Sequence, residues 1–69
     1  MMNDKIKKLR AERKTIIEKM RALLSTAEQE GRDLTEEENK SYQTMQDQVK
    51  SLQAREEREI QVFTLETEL

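Results

Sequence analysis

A single glycine, Gly31, and no proline interrupt this chain. Proline breaks a helix interior, and glycine weakens one by about 1 kcal/mol relative to alanine. The stretches on either side of Gly31 therefore run without a breaker, and both are rich in Glu, Lys, Arg, Gln, Leu and Met. Those residues favour helix because they lose little rotamer freedom there. The one glycine sits where a helix would need a C′ residue of positive φ, a conformation it adopts without Cβ strain. Directly after it, Leu34-Thr35-Glu36-Glu37-Glu38 reads as a helix start. Thr35 and Glu38 form a T-x-x-E capping box, and the three glutamates suit the positive end of the helix dipole.

The reading is therefore two helices, over about 3–30 and about 36–63 or beyond, joined by a turn at about 31–35. The 69 residues form a single helical-hairpin domain. In the first helix Asn3 or Asp4 can cap the start. Ile6, Leu9, Ile16, Met20, Leu23 and Ala27 then trace an a/d seam, with Arg13 filling the gap. Ile17 and Leu24 stand at flanking e positions and widen the stripe, so the helix faces more than one neighbour. In the second helix Tyr42, Met45, Val49 and Leu52 continue the pattern. Beyond Leu52 the seam positions hold Glu56 and Glu59, and apolar residues return at Ile60, Val62, Phe63, Leu65 and Leu69. This reads as a change of phase with a local eleven-residue spacing, which would relax a left-handed supercoil.

A short loop between amphipathic helices forces an antiparallel pair. Positions whose numbers sum to roughly 65 then face one another. Met20 falls near Met45, Ile16 near Val49, Leu9 near Glu56 and Ile6 near Ile60. The two charged seam residues, Arg13 and Glu56, come within a turn and are expected to pair. The expected hairpin core is Leu9, Ile16, Met20, Leu23, Met45, Val49 and Leu52. The turn and cap rest on Gly31, Thr35 and Glu38.

Composition limits function more than it limits fold. Charged residues make up 41% of the chain and hydrophobic ones 33%, with a net charge of −2. With no cysteine there is no disulfide or zinc–thiolate site, and with no histidine the usual general base and metal ligand are missing. Glu36, Glu37 and Glu38 point in different directions on a helix and read as an acidic first turn, and Tyr42 reads as a packed seam residue. No catalytic role, cofactor or metal is expected. No apolar run reaches the ~20 residues a membrane span needs, and no signal-peptide core follows Met1. Residues 1–21 carry eight basic side chains against three acidic ones, and residues 22–69 carry five against twelve. The asymmetry satisfies itself within an antiparallel hairpin or across to another copy. Nucleic acid is not expected as a partner, because the bases are interleaved with the apolar seam and no aromatic accompanies them. A lipid surface is not expected either.

Two helices pack along one line, so the outer flank of each stripe stays open. Ile17, Leu24, Ile60 and Phe63 are assigned to self-association with other copies, which would complete a helical bundle. The competing reading is a free-standing adaptor hairpin that takes a helix of a different protein into its groove.

The order of several segments carries a resemblance. Lys5-Ile6-Lys7-Lys8-Leu9-Arg10-Ala11-Glu12-Arg13 comes first, then Met20-Arg21-Ala22-Leu23-Leu24. Ala27-Glu28-Gln29-Glu30-Gly31-Arg32-Asp33-Leu34-Thr35-Glu36-Glu37-Glu38 and Leu52-Gln53-Ala54-Arg55-Glu56-Glu57-Arg58 follow. This series resembles the N-terminal delta domain of tailed-phage major capsid proteins of the HK97 fold. The resemblance implies a coiled-coil-like scaffolding domain inside the procapsid, assembled in the bacterial host cytoplasm. It further implies a capsid shell domain in cis after Leu69, weak association between capsid subunits, and removal by a phage maturation protease.

Overall fold

The computed structural model describes residues 3–69 and shows an all-α antiparallel hairpin. Helix α1 spans Asp4–Gln29 and helix α2 spans Glu36–Thr67. The molecule measures 55 × 18 × 12 Å with a radius of gyration of 16.1 Å. A compact chain of this length would have a radius near ~11 Å. Among the described residues the hairpin is thus a single layer of two helices, with no third element to cover its flanks.

Each helix end has an identifiable cause. At the start of α1, Asn3 is extended and its Oδ1 accepts the Ile6 N–H at 2.9 Å, so Asn3 is the cap. At the other end Gly31 has φ +64. The Gly31 N–H donates to the Glu28 carbonyl at 3.1 Å and the Arg32 N–H donates to the Ala27 carbonyl at 3.0 Å. This pair of bonds is a complete Schellman motif, and it satisfies carbonyls that the helix end would otherwise leave open. Thr35 then starts α2 with both halves of the capping box: its Oγ1 accepts the Glu38 N–H at 3.1 Å, and Glu38 Oε1 accepts the Thr35 N–H at 2.9 Å.

Packing follows the heptad. Ile6, Leu9, Ala27 and Leu52 are buried, and Ile16, Met20, Leu23, Tyr42, Met45 and Val49 are half-buried along the same line. Ile6 is the most enclosed of the described residues, at 2% exposure. Among the described residues three large apolar side chains, Ile6, Leu9 and Leu52, are buried. The hairpin alone is therefore marginal, because most helical stability in proteins comes from packing an apolar face rather than from propensity.

The expected change of phase after Leu52 does not occur. Burial stays on the strict heptad through Glu56, which is buried, and Glu59 and Phe63, which are half-buried. The apolar residues off that seam, Ile60, Val62 and Leu65, are exposed. Helix α2 continues unbroken to Thr67. The reason is geometric. Once a straight helix docks along a partner, the position on the seam decides burial, and a carboxylate there is tolerated if the partner helix supplies cations.

Candidate functional site

The helix α1 start supplies those cations. Glu56 is 5% exposed. Arg10 Nε donates to Glu56 Oε1, and Arg13 Nη1 lies 3.1 Å from Oε2. That second approach is out of line for a hydrogen bond, so Oε2 is held by charge alone. One turn further out, Lys5 Nζ meets Glu59 Oε1 at 2.9 Å. The expected Arg13–Glu56 pair is therefore present. Arg10, an i−3 neighbour of Arg13 on the same face, shares the carboxylate although sequence reasoning had not assigned it. These contacts fix the register of the hairpin at its open end.

A second charged cluster fixes the loop end. Arg32 Nε donates to Glu30 Oε2 at 2.7 Å, and Nη1 donates to the Asp33 carbonyl at 3.0 Å. Nη1 and Nη2 also donate to Glu38 Oε1 and Oε2 at 2.6 and 3.2 Å. The bidentate grip of Arg32, followed by the Thr35 backbone N–H, holds the Glu38 carboxyl down at about 2. The same contacts raise the Arg32 guanidinium above its ordinary value. Glu38 thus ties the capping box to the turn. Sequence reasoning gave it only the box; the signal for the clamp was an arginine six residues ahead of it, across a tight turn.

Between these two clamps lies an open groove of about 350 Å³. Its floor is Met20, Tyr42 and Val49, seam residues that the partner helix covers only in part. Ile17 and Leu24 form one wall, Gln46 and Gln53 the other, and Arg21 and Lys50 stand at the rims. Ile17 remains 45% exposed. The other flank of the hairpin is different in kind, since its shallower depression is lined by Glu12, Ile16, Gln48, Ser51, Leu52 and Arg55. In heptad terms the first flank collects the e positions of both helices (Arg10, Ile17 and Leu24 on α1, Asn39, Gln46, Gln53 and Ile60 on α2), and the second collects the g positions. Antiparallel pairing brings e beside e, which is why one flank is apolar and the other polar.

The residues assigned to self-association therefore separate. Ile17 and Leu24 line the groove, and Ile60 is exposed on the same stripe two turns along. Phe63 stands on the seam itself and is half-buried.

Lowering of the Glu38 carboxyl is the wrong direction for a general acid near neutral pH. Among the described residues no group of three carboxylate, imidazole or thiol side chains gathers as metal ligands, and no helix is long and apolar enough to cross a membrane. The molecule is an all-α helical hairpin with coiled-coil packing and one uncovered apolar flank. Compared with family models, with curated proteins and with solved structures, the chain finds no match.

Proposed function

We propose that this chain is an assembly domain that joins copies of itself through the groove flank, in the manner of the delta domain of a tailed-phage major capsid protein. The observation that carries the reading is the uncovered apolar stripe of Ile17, Met20, Leu24, Tyr42 and Val49. Surface area supports it. The molecule exposes 5588 Å². A compact monomer of its mass would expose about 4,500 Å². The surplus of roughly 1,000 Å² is comparable with the ~800 Å² that each partner buries in a standard interface.

On this reading the domain is non-catalytic and works by weak, reversible contacts. Tethering to neighbouring shell domains raises the effective concentration, so that feeble contacts suffice and a misplaced subunit can still leave. The capsid setting rests on the order of segments around the loop and cap. It brings with it a shell domain in cis, a location inside the procapsid and removal by a maturation protease.

Sedimentation equilibrium over a wide concentration range, with helicity followed in parallel, tests the association. Self-association with rising helicity is expected, and Ile17→Asp should keep the hairpin helical while abolishing it. A charge in the groove would have to be desolvated against apolar neighbours on docking. If Ile17→Asp associates as well as the parent, the groove is not the contact face. A helical monomer at every concentration would favour an adaptor that awaits a helix of another protein.

A further inference from the structure

The charges flanking the groove select how two copies meet. A second hairpin laid face to face on the groove can be related by a two-fold axis along the helices, which places the loops together and sets α1 over the other copy's α2. The alternative is a two-fold axis across the helices, which places the loops at opposite ends and sets α1 over its own copy. Both bury the same apolar stripe, so hydrophobicity alone does not choose between them.

The rims do choose. Arg21 and Lys50 mark the rim stripes of α1 and α2. Residues one or two heptads away lie on the same stripes: Lys7, Lys14 and Glu28 on α1, Glu36 and Glu57 on α2. All are exposed. The observed register, set by Lys5–Glu59 and Arg10–Glu56, puts Lys14 level with Lys50 and Glu28 level with Glu36. With the loops together, Lys14 faces Lys50 and Glu28 faces Glu36 as like charges, each twice by symmetry, and these two repulsive pairs outnumber the one attractive pair, Lys7 with Glu57. With the loops apart and the axis passing beside Arg21, Lys14 faces Glu28 of the other copy and Lys50 faces Glu36 of the other copy, each twice by symmetry. Ile17 falls against Leu24 of the other copy in the same register. The exception is Arg21, which meets its own copy at the axis, where its long stem can carry the charge out to solvent.

We infer that the groove is an isologous docking face for a second copy of this chain, with the two hairpins antiparallel and their loops at opposite ends. The inference rests on the self-association proposed above and adds its geometry. The two chain ends would leave such a dimer in opposite directions, so it would bridge two separate attachment points rather than gather tails at one.

The test uses charge reversal and a distance. Lys14→Glu turns two attractive pairs into repulsive ones and should weaken the dimer about three- to tenfold at low salt. Adding Glu28→Lys should restore it. In the loops-together arrangement Lys14→Glu would face Lys50 and tighten the dimer instead. Spin labels on Asp33→Cys, in a chain with no other cysteine, should lie about 35 Å apart, from some eleven residues at 1.5 Å on each side of the axis. A loop-to-loop distance under about 15 Å, a tighter Lys14→Glu dimer, or no effect of Lys14→Glu would overturn the arrangement while leaving self-association standing. A parent chain that stays monomeric throughout would overturn both.

Discussion

Replacing Glu56 by leucine is the sharpest perturbation of the hairpin itself. The carboxylate is 5% exposed, while Arg10 and Arg13 keep 44% and 28% of their side-chain exposure. The anion is therefore desolvated and its cations only in part. Leucine would fill the same seam position beside Leu9 and Leu52, and burying it is worth roughly 1.5–3 kcal/mol. Against this stand the two lost contacts to arginine, each worth about 1 kcal/mol after allowing for the exposed partners. The cost of burying the carboxylate is relieved at the same time. Both arginines can turn out to water, so no charge is left buried and unpaired, the condition under which breaking such a cluster is severe. The balance favours leucine by about 1 kcal/mol. Urea unfolding read by circular dichroism, at a protein concentration low enough to keep the chain monomeric, should show the midpoint rising by about 1 M, since a domain this small has a slope near 1 kcal/mol/M. A Glu56→Leu chain destabilised by more than about 1 kcal/mol would refute the reasoning, because the ion cluster would then outweigh the apolar burial it displaces. The variant also tests registry. If the cluster sets the alignment of the helices, a continuous apolar seam should let them slide, and amide exchange near the open end should quicken.

Two further outcomes concern the loop. Gly31→Ala meets nothing within 4 Å, yet φ +64 is strained for any side chain, so the expected cost is about 1 kcal/mol in urea midpoint experiments; a neutral substitution would mean that the turn relaxes without loss. The Glu38 carboxyl, held at about 2 against an ordinary 4.5, is a depressed acid. Its contribution to stability is complete above pH 4.5, fades as the pH falls toward 2 and is lost below it. NMR titration should place Glu38 low in the parent and return it toward the ordinary carboxylate range in Arg32→Gln; an unchanged Glu38 would show that the capping box alone lowers it.

Much of the hairpin is legible in the sequence. Gly31, Thr35 and Glu38 mark the turn because helix ends are settled locally, by hydrogen bonds that span no more than a few residues. The a/d seam as far as Leu52 was legible because a helix repeats its faces whatever it packs against. The misreading began at Glu56, where hydropathy and position disagree. Apolar residues at Ile60 and Val62 suggested that the stripe had shifted, whereas burial continued through the two glutamates.

By itself, then, the sequence determined two helices, their turn and the seam that joins them, since those depend on local geometry and period. Only the tertiary structure decided the rest. Docking gathers the e positions of both helices onto one flank and so makes a groove from residues far apart in the chain. It also brings Arg10 and Arg13 to Glu56, so that a buried carboxylate becomes tolerable. Both follow from pairing two helices in one register, a relation that no single helix contains.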